Sequence, residues 1–507
     1  MKFLEKTVLL FLIFHFNVEA QTNLSADLDR IKEEGFQRSQ VQETLIHLSD
    51  IYGQRLTGSR EYFRAAQWAK AQLEDWKIDN AHFENYCNDC RGWGIKTFNA
   101  EMISPIYLKL MAYPLAMVQG TDGEITGTPI HIPDRADLQA VKAKFGGQLK
   151  GKIVLSGKPP VLKTLTDPLV DRRSAEAIAK LENALAPSTT LQHLPDLLES
   201  WLVDVKADSA FMKFLESEGA LASFTTTPLN PGVIHAQGTY FYRETHIKPL
   251  PSFALAPEHF NKIVRMLERN ETPDIRLNLE TEFYMEPQNN VNIIGEIPGG
   301  DPRLKSEVVL IGAHFDSWHA GSGTTDNGTG VAVMMEVLRI IKATGIRPKR
   351  TIRMGLWGGE EQGYLGSVAY AKANFGQFGT KPLPDSRKVS AYVNMDNGAG
   401  AMRGIYLQGN AAARTVFEEV LKPFDYLGAT TVTIENTMGT DHDVFDYYNI
   451  PSFQIIQDWL GYYTLTHHTN LDLVEYAPEE DLKKNSVILA GMIYQLAMRE
   501  EKVPRKK

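Results

Sequence analysis

The sequence predicts an α/β protein with a mainly parallel, helix-flanked sheet, interrupted by a mixed α+β insert. Three observations carry this. From Asn289 onward, short apolar runs alternate with helical patterns in a regular β–loop–α rhythm. One of those runs, Val308-Val309-Leu310-Ile311, is apolar without alternation, as a strand buried on both faces requires. Between about 115 and 285 the texture changes: Gly120, Gly123 and Gly127 punctuate short strands, and helices follow at irregular intervals.

The bounds agree with several domains. The chain has 507 residues, 43% hydrophobic and 23% charged, which describes a globular protein longer than one simple core. A net charge of -9 gives no reason to expect nucleic acid as a partner. Residues 1–20 read as a secretory signal: Lys2 and Lys6 precede the apolar run Val8 to Phe16, and Val18-Glu19-Ala20 ends in a small residue. The run is too short to span a bilayer, so the expectation is a secreted or periplasmic protein without a stable membrane anchor. The two cysteines, Cys87 and Cys90, lie in a loop-like Asn/Asp/Gly setting. They are either a small local disulfide or two inert thiols.

In chain order, Val41 to Ile51 is amphipathic and is broken by Gly53 to Ser59. Glu61 to Trp76 has apolar positions at Phe63, Ala66, Ala69 and Leu73 and reads as a helix. Strands are expected at 81–86 and 95–103. In the middle region, 172–203 is helical and suits a flap or arm. Lys206 to Gly219 is a further helix, 220–224 a strand, and Pro257 to Leu267 a helix. After 289, helices are expected at Val331–Ile341 and Leu365–Asn374, and strands at 308–311, 351–357, 389–395, 405–408 and 452–456. A long last helix opens at Pro478.

Five residues stand at the loop ends of this C-terminal pattern: His314, Asp326, Glu361, Asp396 and His468. Sites in open α/β sheets gather at the carboxyl ends of strands, so all five are expected at one edge. Two imidazoles and three carboxylates suit a pair of Zn²⁺ ions bridged by one carboxylate. Glu360, beside the third ligand, is a spare carboxylate of the kind a general base requires, since adjacent side chains at a strand end diverge. Asp316 and Asp472 are placed to hold the second ring nitrogens of His314 and His468. Asp441 and His442 form a rival cluster, read as lying behind the ligands. Each motif alone is ordinary: Asp-Asn-Gly is a turn, and Glu-Glu is usually a solvated pair. Their joint order is what counts. H-E-x-x-H, phosphate-loop and G-x-S-x-G patterns are absent.

The segments Ala313-His314-Phe315-Asp316-Ser317-Trp318, Thr325-Asp326-Asn327-Gly328, Trp357-Gly358-Gly359-Glu360-Glu361-Gln362-Gly363, Asn394-Met395-Asp396 and His468-Thr469-Asn470-Leu471-Asp472 resemble the di-zinc aminopeptidase family that includes the glutamate carboxypeptidases. Tyr52 to Ser59 and Thr440-Asp441-His442 fit the same family. The resemblance implies a split peptidase domain (21–114 and 286–507) around a protease-associated-like insert at 115–285. It implies two Zn²⁺ per chain with Asp326 bridging, Glu360 as general base, and a peptide substrate. His467, just before a ligand, stands where some relatives place a Tyr that assists the tetrahedral intermediate. The expected activity is that of a secreted exopeptidase of aminopeptidase or dipeptidase type. Its rivals are a single-zinc glutaminyl-peptide cyclase and a non-catalytic peptide-binding relic. The insert is a candidate for gating or for homodimer formation. The long segment between Tyr370 and Val389 is a candidate for the rim of the site.

Overall fold

The computed structural model describes residues 24–506, apart from 163–167, 169, 190–193 and 228. The leader expected at 1–20 lies outside the described residues.

Two eight-stranded sheets organise the chain. In the first, the order is Asp79–Asn85, Val291–Ile297, Thr351–Trp357, Val308–His314, Val389–Asn394, Ser452–Gln457, Met402–Tyr406 and Thr431–Thr433. The four middle strands, from Thr351–Trp357 to Ser452–Gln457, are mutually parallel. The strands flanking these four run antiparallel to them. Register decides the location of the site: His314 pairs with Trp357, and Gly312 with Asn394. Three strands therefore release their carboxyl ends at one edge.

The helices Thr329–Thr344 and Glu479–Met498 pack together against one face of this sheet. Both are buried almost all round, as helices inside a large core must be. Pro478 caps the second, where its missing N–H costs nothing. Val41–Ile46 is α-helical and widens into a looser turn over His47–Ile51. Arg60–Asp75 is capped by Ser59, whose hydroxyl accepts from Tyr62 N at 3.0 Å.

The second sheet takes Gly92–Ser104 as a long strand paired with Asp274–Tyr284, ahead of the change of texture at 115. Its parallel part runs Ile125–Ile132, Lys152–Ser156, Ala222–Thr225 and Ser252–Leu255. Cys87 and Cys90 form a disulfide with Cα atoms 5.6 Å apart.

Two sequence expectations need correction. The helix expected to begin at Lys206 is continuous with the preceding one: Leu194–Ser217 is a single element, because neither Gly nor Pro interrupts 196–218. The strand expected at 405–408 is Met402–Tyr406 and runs antiparallel to its neighbour.

Leu194–Ser217 joins the two units. Leu194, Leu197, Leu198 and Trp201 pack with Tyr364, Trp357 and Phe445 of the first unit. Phe211, Met212, Phe214 and Leu215 lie in a core of the second unit. Just before it, Arg172 reaches Asp458 at 3.0 Å and Asp481 at 2.7 Å. The carbonyl of Leu181 accepts from Thr433 Oγ1 at 2.5 Å, covering the edge strand.

Candidate metal centre

His314 is the last residue of its strand and is 1% exposed. Its Nε2 lies 3.2 Å from Asp326 Oδ1 and 3.6 Å from Asp396 Oδ1. His468 Nε2 lies 3.0 Å from Asp326 Oδ2 and 3.0 Å from Glu361 Oε2. Two groups of three donors thus converge, His314–Asp326–Asp396 and Asp326–Glu361–His468, each with its ligand atoms within 4.8 Å of one another. Asp326 belongs to both. All five residues picked from the sequence meet at the predicted edge. Asp326 Oδ2 and Glu361 Oε1 are buried without a hydrogen-bond donor, as oxygens awaiting a cation would be. This oxygen–imidazole set fits zinc.

The frame around the donors is built from backbone and buried polar groups. His314 Nδ1 meets the backbone carbonyl of Asp316 at 3.0 Å, which leaves Nε2 free for a metal. The Asp316 carboxylate, 3.7 Å from that nitrogen, instead accepts from Glu360 N at 3.1 Å, Glu361 N at 3.3 Å and Thr57 Oγ1 at 2.9 Å. It therefore orients the Glu pair. Asp326 sits in the turn Thr324–Gly328, whose Asp326–Asn327 peptide is cis. Asn327 Nδ2 donates to Met395 O at 2.8 Å, tying this turn to Asp396. Arg55, fully buried, donates to Phe315 O (2.8 Å), Ser322 O (3.1 Å) and Gly323 O (2.6 Å), clamping both loops.

Asp472 and the rim segment take other places than expected, while Asp441 and His442 lie outside the two donor groups. Asp472 does not hold His468; its carboxylate accepts from Thr325 N at 2.5 Å and Asp326 N at 3.3 Å, because its loop passes under that turn. The partner of His468 Nδ1 is the side-chain amide of Gln237, from the middle of the chain. His442 turns away to Thr437 O at 3.0 Å and to Gln408, and is not part of the cavity wall. Asp441, buried, accepts from Ser367 Oγ at 2.5 Å, and its second oxygen has no partner. The segment 376–388 contributes nothing to the rim; Phe378 packs on Tyr447 at 4.9 Å instead.

A cavity of about 390 Å³ opens over the donors. Its lining includes Glu360, Glu361, Asp326, Asp396, His467 and His468, together with Trp201, Asp204, Asp208 and Tyr240 from the middle of the chain. His467 stacks on His468 with ring centroids 3.7 Å apart. Burial, then the charge of His468, pushes His467 down to about 3, so it is neutral at physiological pH. Burial raises Glu360 well above the usual carboxylate range, with Glu361, Asp441 and Asp396 adding and His314 opposing. Against its own burial, Asp326 is held well below that range by His314 and His468. Opposite shifts on neighbouring carboxylates mark a site where one takes up protons and another stays an anion.

Residues 292–493 match the family described as peptidase family M28. This region belongs to peptidase family M28. Carboxypeptidase Q of Bos taurus is 25% identical over 464 residues, covering 91% of this chain and 86% of the relative. That of Pongo abelii is 26% identical over 467 residues, with the same coverage. Among solved structures, a peptidase M28 precursor from Shewanella amazonensis SB2B superposes with a TM-score of 0.70 at 22% identity, over 96% of this chain and 99% of its own. BSAP, a zinc aminopeptidase from Bacillus subtilis, gives 0.57 at 17% identity, over 91% and 95%. These structures share the fold. Family and donor set together make the chain a zinc-dependent hydrolase of the exopeptidase class.

No motif points to Gln237, Trp201, Asp204 or Tyr240 at the site. All four come from the middle region, where no cluster of chemical residues is visible. Trp201 alone fell within the helical pattern expected to form an arm, 172–203.

Proposed function

We propose that the protein is an exported di-zinc exopeptidase that hydrolyses dipeptides or short peptides from a free amino end. The observation that carries this reading is the sharing of Asp326 by two three-donor clusters. His314, Asp396 and Asp326 would hold one ion, and His468, Glu361 and Asp326 the other. Bound zinc supplies Lewis acidity, polarising a carbonyl and acidifying water. Glu360 takes the proton from the attacking water and delivers it to the leaving amine. His467, neutral and beside Asp326 (Nε2 to Oδ2 3.9 Å), is placed to donate toward the tetrahedral oxygen.

One feature supports the amino-end reading. No Lys or Arg lines the cavity among the described residues, so a terminal carboxylate finds no side-chain cation there, whereas Asp204 and Asp208 offer carboxylates to an amine.

The test is release of free amino acids from a dipeptide panel, by wild type and Glu360→Gln, with zinc counted in both. Two zincs per chain in both, with turnover reduced ~10²–10⁴-fold in the variant, is the expected result. Full zinc with no cleavage by wild type, or a variant as active as wild type, defeats the proposal.

A further inference from the structure

We propose that Asp204 and Asp208 form a specificity wall that selects substrates with a basic side chain next to the scissile bond. This rests on the peptidase reading above and adds the substrate class. The two residues sit one turn apart on Leu194–Ser217, and both line the cavity that the metal donors also line. Residues four apart share a helix face, so the two carboxylates act on the same ligand group.

The charge of the cavity makes this consequential. Its carboxylates are Asp204, Asp208, Asp326, Glu360, Glu361 and Asp396, with no Lys or Arg among the described lining residues. Two divalent ions, once bound, would offset the charge of the carboxylates that hold them, leaving Asp204 and Asp208 as the charge a substrate meets. Asp208 is shared with Arg135, 3.1 Å away. Burial raises the Asp208 carboxyl, Arg135 opposes that, and Asp204 adds to it. Asp204 has no ion-pair partner among the described residues, so it is the uncommitted charge.

A second observation points to a ligand in the same space. Tyr364 is 1% exposed and lines the cavity, and its hydroxyl has no hydrogen-bond partner. A buried hydroxyl lacking a partner is costly unless a bound molecule supplies one. Trp201, three residues before Asp204, packs on the Tyr364 ring at 5.2 Å. Aliphatic stem, cationic head and peptide group therefore each find a complement: Trp201 and Tyr240, the two aspartates, and the Tyr364 hydroxyl.

The experiment compares kcat/KM of the zinc-loaded full chain on Ala-Lys, Lys-Ala, Ala-Leu and Ala-Glu. Wild type is expected to favour one of the lysine dipeptides over Ala-Leu, with Ala-Glu last, and to lose that order as ionic strength rises. In Asp204→Asn/Asp208→Asn the Lys-to-Leu ratio falls about tenfold, mainly through KM. Asp204→Lys, at an exposed helix position, shifts preference toward Ala-Glu. If all four substrates change by one factor, or wild type shows no charge preference, the wall has no selective role. Hydrolysis of none of the four by wild type removes the peptidase reading itself, a separate result from loss of selectivity.

Discussion

Replacing Asp316 by Asn separates the orienting role of this residue from metal binding itself. Its carboxylate takes three hydrogen bonds: Thr57 Oγ1 (2.9 Å) and Glu361 N (3.3 Å) on one oxygen, and Glu360 N (3.1 Å) on the other. An asparagine keeps at most one acceptor oxygen. Its better rotamer preserves the two bonds on Oδ2 and turns an amide NH₂ toward the N–H of Glu360. One charge-assisted bond is lost and two donors face each other in a site with no exposure. Such a loss costs about 1.5–3 kcal/mol. At 1.36 kcal/mol per decade, that is roughly 10- to 100-fold, the range in which outer partners of metal ligands act. The penalty falls on the peptide carrying Glu360 and Glu361. Turnover and zinc affinity should therefore both fall, while His314, held by the Asp316 backbone carbonyl, keeps its orientation. The assay pairs kcat with competition against a graded zinc chelator. Wild-type values for both would refute the reasoning. Loss of zinc affinity with unchanged kcat at saturating zinc would confine the role of Asp316 to metal retention.

Other outcomes follow from neighbouring features. Arg339 is buried and binds Glu336 at 2.7 and 2.9 Å and Glu34 at 2.6 Å; Arg339→Met takes the cation from buried Glu336, while Glu34 keeps Arg38 at 2.5 Å, and should destabilise by about 3 kcal/mol, read from chemical unfolding. Gly330→Ala places a Cβ 2.3 Å from Asn327 Oδ1 and 2.6 Å from Met395 O, so it should displace the turn that carries Asp326 and lower zinc content. Glu101 is held down to about 2, first by Arg276 and then by Tyr107. A depressed carboxylate contributes stability above its unfolded pKa of 4.5, and this is lost as pH falls toward 2. Glu101→Gln should therefore lower Tm at pH 6–7, with the difference from wild type vanishing near pH 2.

The metal donors were legible in the sequence because strand ends announce themselves. An apolar run followed by His314, Asp396 or the Glu360–Glu361 pair fixes both the element and the edge it reaches. Asp326 alone reads as an ordinary Asp-Asn-Gly turn and stands out only through its order with the other four. The surroundings were less legible. Asp472 lies four residues after His468, and sequence proximity favoured that pairing, whereas the fold sends its carboxylate to the backbone of Thr325 and Asp326. Gln237 reaches His468 only because residues 234–237 run beside 468–470, with Ala236 N donating to His468 O at 3.1 Å. Contacts across 231 positions leave no local periodicity to read. The antiparallel strand Met402–Tyr406 shows the same limit: strand propensity is local, but direction is set by the neighbour it joins.

The sharing of Asp326 also orders events during synthesis. A ribosome delivers the chain from its amino end, at roughly 5–20 residues per second. The cluster His314–Asp326–Asp396 has all its donors once residue 396 has emerged, whereas Asp326–Glu361–His468 must wait for residue 468. Asp326 is therefore available to its first partners before His468 has emerged. The parallel strand Ser452–Gln457, which completes the middle of the sheet, also appears between these two moments. The helix Glu479–Met498, which packs against Thr329–Thr344, follows both, so the edge that carries all five donors is backed by its full core only when the last helix arrives.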